Sequence, residues 1–190
     1  MTLTEFIGTY QTLTKEEKDL INKNITFRKF NAKEYFLESG NRSNEIGFIL
    51  SGIFRYFFYD SNGKEITAHF MIEKEFVGSA TSFFEYMPSS GSLQAITDCE
   101  IIVISRQSWE LFCRDIKNWE NSFQKILNEV LIKKTNFQRG LLNTDAKTAY
   151  LKFLNTYPNV AQKAPLNYIA SFLGITPFSL SRIRKAIASL

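Results

Sequence analysis

Basic and hydroxyl side chains cluster in one short segment near the end of the chain. They are Ser179, Ser181, Arg182, Arg184 and Lys185. Arg and Lys side chains neutralise phosphates and donate hydrogen bonds to guanine, and serine hydroxyls add further phosphate contacts. Side chains of these types on one face of a helix would suit binding to DNA.

The residues around this cluster predict two short helices joined by a tight turn. The first helix is expected at about 166–173, and Gly174 follows where a positive φ costs little. Thr176 can cap the second helix, and Pro177 fits its first position. The expected seam between the helices is apolar and includes a small residue for close approach: Ile169, Ala170, Leu173, Ile175, Leu180 and Ile183. This is the layout of a DNA-binding helix-turn-helix, although a plain helical hairpin is an alternative.

Charge is distributed unevenly along the chain. Residues 133–190 contain nine basic residues and one acidic residue, a net charge of +8, whereas the whole chain of 190 residues carries +4. The preceding residues therefore carry −4. A basic segment joined to an acidic body is typical of a nucleic-acid-binding module attached to a domain with another task.

Composition excludes several classes of protein. The chain is 44% hydrophobic, enough for a core, but it has no apolar run that could span a membrane and no secretion signal at its start. Cys99 and Cys113 are isolated, which favours reduced thiols in a cytoplasmic protein, with a redox switch as the alternative. No metal-binding motif is present, because metal sites need several ligands and the chain has a single histidine, His69.

Before the long helix the sequence predicts short strands between turns. After a helical start with a capping box at Thr14 and Glu17, apolar runs alternate with turns rich in Gly, Asn and Ser. The expected strands are 25–30, 35–37, 45–51, 53–59, 66–72, 91–95 and 100–105. Strands of this length and spacing indicate a barrel or sandwich.

A long helix is expected at residues 118–142. Its apolar positions recur at spacings of four and three, with one polar interruption: Phe123, Leu127, Val130, Lys134, Phe137 and Leu141. This heptad seam predicts a dimerisation helix, the alternative being an ordinary helix lying on the barrel. The predicted domains are therefore 1–117, a sensor with N-terminal helices, 118–142, the dimer helix, and 143–190, the helix-turn-helix domain.

This order of elements resembles the Crp/Fnr family of bacterial transcription regulators, in the form found in Bacteroidetes. The resemblance rests on Gly40, Gly52 and Gly63 at turns, on the run GFILSGIFRYFFYDSNGKEI and on the ending PLNYIASFLGITPFSLSRIRK. It implies an α+β fold with a jelly-roll-like double-stranded β-helix, a long dimer helix and a winged-helix-like C-terminal domain. The sequence given stops at Leu190, so we expect the wing to be minimal or absent.

The resemblance also implies roles for residues of the second helix. It places Pro177, Phe178 and Arg182 at base-reading positions, with Arg182 on a guanine and Phe178 against a thymine methyl. Phosphate contacts fall to the remaining polar residues: Thr176, Ser179, Ser181 and Lys185. The implied partner is a pseudo-palindromic double-stranded operator bound by a homodimer, and contact with RNA polymerase is left open.

The sensor departs from the family pattern for cyclic nucleotides. A phosphate cradle needs an arginine and an acidic residue for the ribose, but Ser79 follows Gly78 where the family has Glu. No Lys or Arg occurs between Lys74 and Arg106. The candidates for a pocket are Arg55, Gly78, Ser79, Phe83, Ser90 and Ser92. We therefore predict no cyclic AMP binding and no cofactor, and we leave open an unknown small-molecule effector.

Two other functions are alternatives to DNA binding. A cupin-like enzyme would need several histidines, and the chain shows no P-loop or nucleophile–base motif, so we predict that it is not an enzyme. A ligand-binding or dimerisation module with weak or vestigial DNA binding is the remaining alternative. The basic C-terminal segment favours the regulator.

Overall fold

The computed structural model describes residues 1–188 of the chain. Its strands are β1 (Thr26–Phe30), β2 (Tyr35–Leu37), β3 (Glu45–Ser51), β4 (Phe54–Tyr59), β5 (Glu65–Met71), β6 (Phe76–Val77), β7 (Ser92–Ala95) and β8 (Cys99–Ser105). They form two antiparallel sheets with the orders β1-β8-β3-β6 and β2-β7-β4-β5. The predicted jelly-roll-like roll is thus confirmed.

Helices flank the roll at both ends of the described chain. They are α1 (Leu3–Ile7), α2 (Lys15–Lys23), α3 (Ala80–Glu85), α4 (Arg106–Asp115), α5 (Trp119–Leu141), α6 (Ala146–Thr156), α7 (Pro158–Lys163), α8 (Leu166–Phe172) and α9 (Pro177–Ala188). None of the helices within residues 1–188 has both the length and the apolar character needed to cross a membrane. The end of the predicted helix-turn-helix domain, residues 189–190, and the expectation about a wing lie outside the described residues.

Strands β3 and β8 are apolar on both faces because each separates two cores. Ile46 and Phe48 of β3 join a core with the N-terminal helices, α4 and α5. Ile49 of β3 and Ile101 of β8 point instead into the roll. Successive side chains of a strand point to opposite sides, so an unbroken apolar run is what a strand covered on both sides requires.

Local signals set the boundaries of several elements. Thr14 and Glu17 form the expected capping box, in which each side chain accepts a hydrogen bond from the other residue's backbone N–H, at 3.2 and 2.8 Å. Thr2 and Glu5 form a second capping box before α1. Strand β6 was not predicted, since its two residues are too few to show a period, and it exists through pairing with β3.

Aromatic rings join the roll to the C-terminal helices. Phe70 of β5 lies 5.0 Å from the Phe172 ring of α8 and 6.0 Å from Phe153 of α6, measured between centroids. Phe137 of α5 stacks on Phe172 at 5.4 Å, and Tyr157 packs on both. This cluster brings together parts of the chain that are far apart in sequence, and it fixes the C-terminal helices against β5.

We expect Phe153→Ala to lower the free energy of unfolding by about 3–5 kcal/mol, because Phe153 is fully buried at the centre of this cluster. Urea denaturation followed by circular dichroism measures the change. Leu151→Ala on the exposed side of the same helix is the control and should cost far less. Equal losses in the two variants would contradict the described packing of α6.

Candidate nucleic-acid interface and sensor domain

The turn between α8 and α9 has the geometry of a helix-turn-helix. Gly174 adopts a φ of 68°, and its N–H donates to the Ser171 carbonyl at 3.1 Å. The N–H of Ile175 donates to the Ala170 carbonyl at 3.0 Å, which completes a Schellman motif. Leu180 of α9 is fully buried in the core that α6, α7 and α8 form. The predicted motif and its helix boundaries are confirmed.

Helix α9 begins as the sequence predicts. The Thr176 hydroxyl accepts a hydrogen bond from the Ser179 N–H at 3.0 Å, and Pro177 is the first helical residue. The two hydroxyl groups of Thr176 and Ser179 lie 2.9 Å apart and bond to each other. These hydroxyls therefore define the start of the helix, which holds the residues after Pro177 in place.

One face of α9 projects from the molecule. Phe178 is 71% exposed, and Arg182, one turn on, is also exposed, with its guanidinium carbon 6.0 Å from the Phe178 ring centroid. Lys185 continues the same face at the next turn, whereas Ser181 is half-buried beside it. The structure thus presents an aromatic ring and two basic residues side by side in the position of a recognition helix.

Arg184 differs from the expectation that it faces DNA. Its Nε donates to the Tyr150 hydroxyl at 3.0 Å, and its Nη2 donates to the Ala161 carbonyl at 3.1 Å. Arg184 is two residues beyond Arg182, so it points to the other side of α9, toward α6 and α7. Its guanidinium thus ties α9 to α6 and α7 and does not project toward DNA, so the expectation for Arg184 is corrected.

Helix α8 is docked on the edge strand β5. The Ser171 hydroxyl accepts from the Thr67 N–H and donates to the Glu65 carbonyl, both at 3.0 Å. β5 is the last strand in its sheet, so these backbone groups have no strand partner on that side. One hydroxyl of the helix-turn-helix thus satisfies a donor and an acceptor of the sensor roll.

Arg55 lies in this docking surface, beside a cavity between the roll and α8, and not inside the roll. Its guanidinium is buried between the rings of Phe57 and Tyr168, with centroid distances of 3.9 and 3.5 Å. It forms an ion pair with Glu65 at 2.8 Å and donates two hydrogen bonds to the Gln94 side chain. The expectation that Arg55 reaches into the roll is wrong, because its side of β4 is covered by α8.

The other pocket candidates do not surround a common space. Their side chains serve separate local structures: Ser79 caps α3, Ser90 bonds to Tyr56, Ser92 accepts from the Ser39 N–H, and Phe83 is buried beside Trp109. Gly78 borders an apolar slot next to α5. These positions are therefore corrected from a shared pocket to parts of the scaffold.

Tyr56 fills part of the interior of the roll. Its ring packs on the inner core, and its hydroxyl lies 2.9 Å from the Ser90 hydroxyl. Gly91 lies directly against this ring, since a Cβ there would be 2.7 Å from the Tyr56 ring. The loop at 89–91 and the Tyr56 side chain thus contact each other directly, at positions that include the pocket candidate Ser90.

The heptad seam predicted on α5 faces its own chain. Phe123 is buried and contacts Phe76 and Trp109, with ring centroids at 4.9 and 4.6 Å, and Phe137 packs on Phe172. Leu127, Val130, Lys134 and Leu141 are half-buried along the same side. The predicted seam is therefore corrected from a contact between chains to a contact with the roll and the C-terminal helices.

A second heptad series runs along α5 and just beyond it, one residue later in the sequence. Its members are all exposed and none carries a charge: Gln124, Asn128, Leu131, Thr135, Gln138 and Leu142. Leu131 and Leu142 are 58% and 69% exposed. We call this series the outer stripe. The outer stripe is harder to recognise in the sequence than the apolar series, because four of its six residues are polar and do not show a hydrophobic repeat.

The thiols and the histidine do not form a reactive group. Burial raises the pKa of Cys99, and burial followed by the nearby Glu120 raises the pKa of Cys113 to about 12. A high pKa disfavours the thiolate that redox chemistry needs. Burial, followed by the charge of Lys134, lowers the pKa of His69 to about 4, so His69 is neutral near pH 7.

Comparison with known proteins identifies the fold. Residues 27–115 match the profile of the cyclic nucleotide-binding domain. A search of curated proteins gives no match. FixK2 from Bradyrhizobium japonicum is a similar solved structure, at 16% identity over 87% of this chain and 85% of that one, with a TM-score of 0.74.

Two further solved structures extend the likeness. The c-di-GMP-responsive regulator CLP from Xanthomonas campestris is 16% identical over 93% of this chain and 92% of its own, with a TM-score of 0.71. A Crp/Fnr family regulator from Eubacterium rectale is 15% identical over 95% of this chain and 88% of its own, also at 0.71. Residues 27–115 are thus similar to cyclic nucleotide-binding domains, and the chain has the fold of the Crp/Fnr structures. The predicted resemblance to Crp/Fnr structures is confirmed at the level of the fold.

We expect Arg184→Ala to lower the free energy of unfolding by about 1–3 kcal/mol, because the Tyr150 hydroxyl and the Ala161 carbonyl lose their donor. The exposed Arg182→Ala is the matched control, and its effect should stay within about 0.5 kcal/mol. Urea denaturation measures both variants. A larger loss for Arg182→Ala than for Arg184→Ala would refute the assignment of the two arginines.

Proposed function

We propose that this protein is a homodimeric, sequence-specific DNA-binding transcription regulator. The observation that carries the proposal is the exposed face of α9, where Phe178 and Arg182 project from a helix-turn-helix with a Schellman turn. The guanidinium can donate two hydrogen bonds to a guanine, and the ring offers an apolar contact for a thymine methyl. The +8 charge of residues 133–190 supplies attraction to phosphates. A protein with this role would act in the cytoplasm.

The outer stripe supports a dimer formed through α5. Its six positions are spaced four and three residues apart, the period of a two-helix seam, and they carry no charge on an otherwise charged helix. Two copies joined along this stripe would carry two recognition helices. Dimers of this type read half-sites about 34–36 Å apart, or one turn of DNA.

We further infer that the sensor domain does not bind cyclic AMP. Tyr56 is half-buried against the inner core and its hydroxyl bonds to the exposed Ser90, while Arg55 is paired with Glu65 in the docking surface. Residues 75–105 contain no Lys or Arg that could pair with a phosphate. An anionic nucleotide inside the roll would thus lack a counter-charge, which makes its transfer from water costly.

Selection of bound fragments from random-sequence DNA tests the function. A regulator of this kind should enrich one pseudo-palindromic sequence with two half-sites. The alternative, a ligand-binding or dimerisation module with vestigial DNA binding, predicts no enrichment and only weak, sequence-independent binding. Measuring affinity at two salt concentrations separates phosphate contacts from base contacts, since only the former give a steep salt dependence.

Arg182→Ala should weaken binding to the selected sequence by about 1–3 kcal/mol and relax the preference at one base pair in each half-site. Gel-shift titration against the selected sequence and its single-base variants measures both effects. Lys163→Ala removes the same charge from the exposed end of α7 and is the control, which should leave the base preference unchanged. Uniform weakening on all sequences would show that Arg182 does not read a base.

Leu131→Glu should split the dimer, because it places a charge at the centre of the outer stripe of each copy. Sedimentation velocity of the purified protein measures the change. Ile132→Glu is the control: it is 59% exposed, adjacent in sequence and about 100° around the helix. A Leu131→Glu protein that still sediments as a dimer would exclude this face.

A further inference from the structure

A polar cavity lies where β5, α5 and α6 meet. Its volume is about 510 Å³, and its polar lining includes His69, Glu75, Lys133, Lys134 and Tyr157. The walls come from the sensor roll, from α5 and from α6, the first helix after it. Whatever binds here touches the sensor, the long helix and the C-terminal domain at once.

Two lysines and one carboxylate, that of Glu75, line this cavity, so the lysines outnumber the acidic group. Within residues 1–188 neither Lys133 nor Lys134 forms an ion pair or a hydrogen bond. Their charges act across the cavity instead. Burial raises the pKa of Glu75, and the charge of Lys133 opposes that rise, while Lys134 contributes to the lowered pKa of His69. An anion entering between the lysines would gain charge-assisted hydrogen bonds.

The polar cavity opens onto an apolar slot. The slot shares His69, Glu75 and Val130 with the polar cavity and has a volume of about 160 Å³. The rest of its lining is mainly aliphatic and aromatic, including Met71, Phe76, Val77, Phe123 and Leu127. At about 30 Å³ for a group the size of a water molecule, the slot holds roughly five such groups.

The geometry points to a binding site for a small amphipathic carboxylate, with its head between Lys133 and Lys134 and its apolar tail in the slot between the roll and α5. This inference deepens the proposed function, on which it rests, by naming the class of effector that the sensor would take. Glu75 faces the same space and disfavours a second negative charge, so the head must lie on the lysine side. The Glu75 carboxylate accepts a hydrogen bond from the Ile72 N–H at 3.1 Å, and this bond holds it on the side of the cavity away from the lysines.

Occupancy of this site would bear on the DNA-binding end of the molecule. Tyr157 is part of the aromatic cluster that holds Phe172 of α8, and it also lines the polar cavity. A ligand that favours one arrangement of this cluster must shift the affinity for DNA. By linkage, DNA must then shift the affinity for the ligand by the same factor.

Isothermal titration calorimetry of the full chain with octanoate, without DNA, tests the site directly. Octanoate pairs an ionised carboxylate with a short alkyl tail and should give saturable binding. Acetate has the head alone, and octylammonium has the same tail with the opposite charge, so both should bind far more weakly. If octylammonium binds as tightly as octanoate, the assigned role of the lysines is refuted.

Variants locate the binding. Lys134→Gln and Lys133→Gln should each weaken octanoate about tenfold, whereas Lys125→Gln, an exposed lysine of the same helix outside both cavities, should not. Val130→Phe, where cavity and slot meet, should block the tail. Circular dichroism checks that every variant is folded. Octanoate affinity unchanged in all three cavity variants would overturn the proposal.

The two proposals fail separately. A protein that binds octanoate but enriches no DNA sequence keeps this site and loses the regulator function. A protein that selects a palindrome and gives no octanoate heat keeps the regulator function and loses this site. Repeating the titration with the selected DNA bound measures the coupling, and equal affinities with and without DNA would show that this ligand is not the effector.

Discussion

The buried charge of Arg55 is the constraint on which the arrangement of the molecule depends. A guanidinium removed from water is unfavourable unless its charge and its donors are compensated. Glu65 and Gln94 supply the carboxylate and the amide oxygen from the roll, and Phe57 supplies one ring. The second ring, Tyr168, comes from α8, so the guanidinium is enclosed on both faces only when the helix-turn-helix is docked.

Because the surroundings of Arg55 come from both the roll and α8, favourable and unfavourable contributions to docking oppose each other at this residue. A buried ion pair contributes little net stability, because the cost of desolvation offsets the attraction between the charges. If α8 undocked, Arg55 would regain contact with water, which lowers the free energy of its charge, and would lose the Tyr168 ring, which raises it. The aromatic cluster around Phe172 then decides how strongly the C-terminal helices hold to β5.

The helix-turn-helix was predictable because its signals are local, whereas contacts between distant parts of the chain could not be predicted from the sequence. Gly174, Thr176 and Pro177 act through their own neighbours in the chain, so their types revealed the turn and the start of α9. Arg184 and Arg55 could not be placed, since the Ala161 carbonyl lies 23 residues from Arg184 and Tyr168 lies in a different domain from Arg55, and no period in the sequence marks either contact. The stronger apolar series of α5 was assigned to a second chain, but the most apolar face of a helix serves its own core first.

The Ser171 hydroxyl has a consequence for the solubility of the protein. It occupies one donor and one acceptor on the outer side of β5, the edge of a sheet. An edge strand left bare is a template on which further strands can pair, and β5 runs through apolar residues such as Ile66 and Phe70. Helix α8 therefore also covers a strand edge on which other chains could otherwise pair and aggregate. With α8 undocked, the edge of β5 would be exposed and open to pairing with a strand of another molecule, unless something else covered it.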